Sequence, residues 1–201
     1  MPFEILQLNP NVRVTATEED ICLFFANNFI MEEKSKNANQ IYPNIYDLVS
    51  RISSKDVTTP VMFPDIDTST DKNLSFTNYP ESFIQVCEKQ IDADSVDCVV
   101  TYNFLDTAKN VIESIELIEK ILKPDGIWIN MGGLQYMYEP YESANSIEIS
   151  YRDLKESIID VGLLMDKERQ IDDYEYFLED SNVQRIYKCP YFTCRKGGNR
   201  F

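Results

Sequence analysis

Asp97-Cys98-Val99-Val100-Thr101-Tyr102-Asn103-Phe104-Leu105-Asp106-Thr107-Ala108 is an apolar run that ends in a polar turn and leads into a helical pattern. The β-branched valines of residues 97–101 predict a parallel strand covered on both faces. Asp106 and Thr107 stand where that strand stops. Ligands of open α/β sheets sit at the carboxyl ends of strands, so an acid there is a candidate site residue. The same two side chains also suit the N-cap of the following helix, and spacing does not separate a cap from a site.

Downstream, Ala108, Val111, Ile112, Ile115, Ile118 and Leu122 recur at the three-and-four spacing of one apolar helix face. Lys123-Pro124-Asp125-Gly126 closes that helix, and residues 127–131 read as the next strand. Gly132-Gly133 follows, more often a turn than a ligand contact. Tyr136, Tyr138 and Tyr141 suit a pocket lining and a sheet cover equally. Ser150 and Asp153 form a capping box for a helix through Leu154, Ile158 and Val161, closed by Gly162. Residues 163–165 begin another strand and 184–196 a last one, in which Pro190 predicts an edge position or a bulge.

Upstream, residues 1–8 read as the last turns of a helix stopped by Asn9-Pro10-Asn11. Residues 12–17 form a strand ending in Glu18-Glu19-Asp20, and residues 21–31 a buried helix opened by Asp20. Pro60 and Pro64 keep residues 59–67 extended, with Asp65 and Asp67 equally suited to a turn. Residues 79–90 mix a short strand or turn with a helix start. The alternation predicts a layered α/β fold, largely parallel with an antiparallel finish. No repeat or linker interrupts it, so one domain over residues 1–201 is expected.

Asp and Glu number 34 against 19 Lys and Arg, a net charge of -15 that repels phosphate backbones. The only dense basic cluster is Arg195-Lys196. No histidine and five scattered cysteines argue against a zinc site and for reduced thiols in a cytoplasmic or nuclear compartment. No apolar run reaches membrane-span length, and the first residues lack a signal-peptide pattern. Acid–base chemistry falls to carboxylates, tyrosines, lysines and thiols.

Four stretches carry a resemblance: Phe63-Pro64-Asp65-Ile66-Asp67, Phe104-Leu105-Asp106-Thr107-Ala108-Lys109-Asn110-Val111, Leu122-Lys123-Pro124-Asp125-Gly126-Ile127-Trp128-Ile129-Asn130 and Ser146-Ile147-Glu148-Ile149-Ser150-Tyr151. Together they resemble the carnosine N-methyltransferase (N2227-like) family of class I S-adenosylmethionine-dependent methyltransferases. The resemblance implies a Rossmann-like sheet with helices on both faces and antiparallel C-terminal strands. It implies S-adenosyl-L-methionine as cofactor and methyl transfer to the imidazole of carnosine or a related histidine peptide. Carried over by position, Glu18 takes the ribose hydroxyls, Ser82 and Phe83 meet the adenine, and Tyr102 flanks the methionine end. Asp106 holds the substrate imidazole, Tyr187 shares its catalytic pocket, and Met137 and Arg185 are further substrate positions.

The departures carry expectations too. The family's Gly-rich cofactor loop and the strand before it have no counterpart here, which implies a chain that starts after them with two mid-sheet edges unpaired. Ser82 stands where an acid reads the adenine amino group, with Glu81 beside it; Met137 replaces a histidine and Arg185 a tyrosine. Two functions stay open at this point: an N-methyltransferase, and a non-catalytic methyltransferase-like binding or scaffold module. The expected partner is a small molecule or peptide with an imidazole, not nucleic acid, membrane or metal; monomer and homodimer both stay open.

Overall fold

A computed structural model describes residues 2–32, 36–46, 53, 55–65, 75–138, 145–174 and 186–198. The chain divides into two compact units, residues 1–83 with 176–184, and residues 84–175 with 185–201.

The first unit opens with helix α1 (Pro2–Leu8), strand β1 (Arg13–Thr17) and helix α2 (Ile21–Glu32). Asp20 opens α2 as expected: its carboxylate accepts from the amides of Cys22 at 2.8 Å and Leu23 at 3.0 Å. The expectation that α2 is buried does not hold. Ile21, Leu23, Phe25 and Phe29 are all exposed, although an all-round apolar helix is ordinarily buried. Strands β2 (Asn39–Ile41) and β3 (Val61–Phe63) pair antiparallel, and the Phe63–Pro64 peptide is cis. Strand β4 (Ser75–Tyr79) runs parallel to β1, Thr17 facing Tyr79. Its sequence, Ser-Phe-Thr-Asn-Tyr, hides a strand behind turn-forming residues, and nothing in the sequence reading places it. Helix α3 (Phe83–Lys89) follows and from Ile84 onward belongs to the second unit.

The second unit is built on strand β5 (Val96–Tyr102), helix α4 (Val111–Ile121), strand β6 (Leu122–Met131), helix α5 (Tyr151–Asp160), and strands β7 (Leu163–Tyr174) and β8 (Ile186–Lys196). The sheet order is β5-β6-β8-β7, with β5 and β6 parallel and β8 antiparallel to both its neighbours. The predicted antiparallel finish is present. Pro190, however, lies in an interior strand. It is tolerated because β6 ends opposite Tyr191, so Pro190 stands one residue past the β6 ladder and pairs only with Gln170 of β7.

Register and burial give the sheet two unlike faces. Val99 with Trp128 and Cys194, and Thr101 with Asn130 and Phe192, are buried with Val111, Ile115 and Ile118 of α4 and Leu154 and Ile158 of α5. Each Val, Ile, Leu and Phe side chain among them contributes about 1.5–3 kcal/mol on leaving water. On the other face, Val100, Tyr102, Ile127 and Leu164 are exposed. β5 therefore alternates, where its apolar run predicted cover on both sides.

A polar chain crosses the buried layer. Trp128 Nε1 donates to Thr101 Oγ1 at 2.9 Å, the Thr101 hydroxyl donates to Asn130 Oδ1 at 2.8 Å, and Asn130 Nδ2 donates to the Pro190 carbonyl at 3.4 Å. Thr101, Asn130 and Trp128 are 4%, 2% and 0% exposed, so no solvent replaces a lost partner. Trp128 also meets Phe192 edge-on, ring centroids 5.0 Å apart.

The ends are tied ionically. Lys196 Nζ reaches Asp94 at 2.8 Å, and the carbonyl and carboxylate of Glu119 at 2.7 and 3.1 Å. Burial alone would lower the pKa of Lys196; the bonds to Asp94 and Glu119 outweigh it and raise it. Arg195 pairs with Asp166 at 2.9 Å. Both members of the one basic cluster in the sequence are thus engaged with acids of the same unit.

Thr101→Val keeps the shape but strips Trp128 of its acceptor and Asn130 of a donor. It should cost about 1–3 kcal/mol, read as a lower denaturant midpoint at unchanged slope. Lys123→Ala, which removes the exposed pair with Asp97, should stay within about 1 kcal/mol.

Candidate functional site

The carboxyl end of β5 turns sharply. Asn103 takes a left-handed conformation, φ +44°, and its amide donates to the Met131 carbonyl at 2.9 Å. The backbones at the ends of β5 and β6 approach so closely that a Cβ on Gly132 would lie 2.8 Å from the Asn103 nitrogen and 2.9 Å from its Cα. Gly132 is thus required here by a close backbone approach.

A 3-10 turn, Leu105–Thr107, follows. It answers the question of the cap. The N-cap of α4 is Asn110, whose Oδ1 accepts from the amides of Ile112 at 3.2 Å and Glu113 at 3.3 Å. The helix begins at Val111 rather than Ala108. Thr107 spends its hydroxyl on the Phe104 carbonyl at 2.7 Å. Asp106 caps nothing.

Its half-buried carboxylate instead accepts from its own amide and from that of Gln135. Burial raises the Asp106 pKa, and those two backbone bonds pull against the rise. The Asp106 carbonyl accepts from the Met137 amide at 3.0 Å. Tyr136, between these two donors, is buried and donates its hydroxyl to the Ile149 carbonyl at 3.0 Å. Burial pushes the Tyr136 phenol up, with the charges of Asp106 and Glu148 acting the same way against its bond to Ile149. The circuit closes where the Ile147 amide donates to the Lys109 carbonyl at 2.9 Å. Residues 132–138 and 145–150 thus hold the turn that carries Asp106.

The positions singled out in the sequence fall as follows. Met137 reaches the Asp106 turn through its backbone, while its side chain is exposed. Tyr187, near the start of β8, is partly buried with its ring beside Gly133. Tyr102 ends β5 on the open face. Arg185 lies outside the described residues.

In the first unit, Glu18 follows β1 directly. Its amide donates to the Tyr79 carbonyl at 3.0 Å, and its carboxylate accepts from the Asp20 amide at 3.1 Å. Ser82 and Phe83, both partly buried, stand at the start of α3. Glu81, noted in the sequence only as the acid beside Ser82, gains weight from the structure. Its Oε2 is buried without a hydrogen-bond partner, a costly state for a carboxylate oxygen unless a ligand supplies a donor. Its adjacency to Ser82 was the only available signal. Gln135 left none, since a backbone amide donates whatever its side chain.

Comparison with known proteins bears on this arrangement. A family model for carnosine N-methyltransferase matches residues 1–198. The chain belongs to the carnosine N-methyltransferase family. The carnosine N-methyltransferase of Mus musculus is 33% identical over 177 residues, which cover 87% of this chain and 44% of the mouse protein. That of Dictyostelium discoideum is 35% identical over 183 residues, 88% of this chain and 38% of its own length. The chain thus spans under half the length of these family members. Among solved structures, a SAM-dependent methyltransferase from Methanosarcina mazei is similar at TM-score 0.43 and 13% identity, over 62% of this chain and 68% of that one. None of the five cysteines is in a disulfide. Among the described residues, no helix is long and apolar enough to cross a membrane, and no group of His, Cys, Asp or Glu is placed to hold a metal ion.

The raised Asp106 pKa means that the folded state holds this proton more tightly than the unfolded chain does. That contribution is present below the ordinary aspartate value, about 3.9, and is lost as pH rises through the folded pKa. At neutral pH the ionised group therefore costs stability. Asp106→Asn should be more stable than the parent at pH 7, with the difference vanishing as pH falls below about 4. Urea melts across that range check both sign and window.

Proposed function

We propose that this chain is part of an S-adenosylmethionine-dependent N-methyltransferase that methylates the imidazole of carnosine or a related histidine-containing peptide. The observation that carries the reading is the Asp106 carboxylate, held by two backbone amides at the carboxyl end of β5 in a chain of this family. It is oriented by the backbone and not used as a cap, and among the described residues it has no further partner, which leaves lone pairs for a ligand.

The first unit carries groups that fit the cofactor. Glu81 offers a buried oxygen that lacks a donor, and the adenine amino group is a donor of that kind. Glu18, at the end of β1, can accept from two ribose hydroxyls. Together with Phe83, these residues would hold the cofactor, which when bound supplies an electrophilic methyl on a positively charged sulfur.

The chemistry of the chain's own residues follows from Asp106. Accepting from one ring N–H orients the imidazole and leaves the lone pair of the other nitrogen facing outward. As that lone pair becomes a bond, positive charge develops on the ring, and a carboxylate fixed in advance stabilises it without reorganising. The raised pKa makes Asp106 a better acceptor than an ordinary aspartate for the N–H proton that the methylated ring sheds. Tyr187, beside Gly133, would pack against the ring. Met137 in place of histidine removes a side chain that exchanges protons, but keeps the amide that braces the Asp106 turn.

Asp106→Ala should lower turnover of carnosine by about a hundredfold or more while leaving S-adenosylhomocysteine affinity within about twofold. Retained turnover would overturn its role. Glu81→Leu should weaken S-adenosylhomocysteine by about tenfold in calorimetry. Parent protein that shows neither binding nor a melting shift with this ligand would favour the non-catalytic module instead.

A further inference from the structure

A cavity of about 580 Å³ opens in the second unit beside the N-terminus of α5, within the size range of small-molecule sites. Leu134, Ile149 and Pro190 form its apolar wall. Leu134 precedes Gln135, whose amide holds the Asp106 carboxylate, so one peptide link joins the cavity wall to the acid.

The polar groups of the cavity are unequally satisfied. Glu168 is saturated: it accepts from the Tyr151 hydroxyl at 2.9 Å and from Lys155 Nζ at 3.1 and 3.3 Å. Arg169 lies over the Tyr191 ring, 4.6 Å from its centroid. Two groups are left over. Gln170 pairs in the ladder with Pro190, and Lys188 stands two residues along on the same sheet face. Among the described residues, neither side chain has a hydrogen bond or ion pair. Lys188 faces Asp172 across the ladder yet forms no ion pair with it. An uncompensated ammonium and a free amide thus line a cavity of a chain whose net charge is -15. That donor set suits a carboxylate.

We propose that this cavity is the subsite for the acceptor's free carboxylate, with Lys188 as the cation that reads it and Gln170 as a neutral second donor. The inference rests on the imidazole-peptide reading above. A histidine peptide held by its ring at Asp106 carries a carboxylate a few bonds away. The net charge of -15 works against that group, and an unpaired cation lining the cavity offsets the repulsion locally.

The test compares carnosine with its C-terminal carboxamide on the parent protein, Lys188→Gln and Lys188→Arg. Steady-state kinetics are read alongside calorimetry in the presence of S-adenosylhomocysteine. The parent should favour the acid, and Lys188→Gln should raise KM for the acid about tenfold with kcat little changed. It should also erase the preference over the amide; Lys188→Arg should keep it. Lys188 is exposed, so folding does not cloud the result. Turnover without discrimination between acid and amide, or equal losses on both in Lys188→Gln, overturns the subsite and leaves the reaction standing. Acid-selective binding that depends on Lys188 but yields no product supports the subsite and overturns the reaction. Failure of the parent to bind either dipeptide overturns both.

Discussion

The second unit depends on a requirement of the indole of Trp128. A buried ring with an N–H must find an acceptor, and the acceptor is Thr101 on the neighbouring strand. That hydroxyl passes the demand to Asn130, which hands it on to the carbonyl of Pro190. Three strands are thereby locked in one register, since a one-residue slip would turn each of these side chains to the opposite face. The chain also runs close to the strand ends where β5 and β6 meet at Asn103 and Gly132.

From that lock the site follows by short steps. Strand ends held at fixed height bring Gly132 against the Asn103 backbone. The chain beyond Gly132 then passes over the Asp106 turn, and Tyr136 fastens it to Ile149. The acid is held mainly by backbone, so the geometry does not rely on any one neighbouring side chain. Burial lifts its pKa against those backbone bonds, and among the described residues no cation pairs with it, a combination more typical of a working carboxylate than of a structural ion pair.

Charge is distributed with the same economy. The chain carries a net charge of -15, and several of its cations are engaged. Lys155, Arg195 and Lys196 are each bound to acids, and Arg169 lies over a ring. Among the described residues, Lys188 is the cation lining the cavity that has no such partner, which leaves its ammonium available to a ligand.

Much of this was legible in the residues. The spacing of Val111, Ile115 and Ile118, the Ser150 capping box and the Asp20 cap act over one or two turns, so local chemistry alone determined them. The motifs around Asp106 and Trp128 likewise marked the family. Tertiary structure decided what depends on distant chain. It showed that Asn110, not Asp106, caps α4, and that Pro190 is interior because β6 stops one residue short of it. It also left one face of β5 open and brought a strand out of Ser75–Tyr79. The orphaned oxygen of Glu81, the amide of Gln135 and the uncompensated charge of Lys188 belong to this second class. Each is defined by the presence or absence of a partner, and partners many residues apart in sequence meet only when the backbone folds.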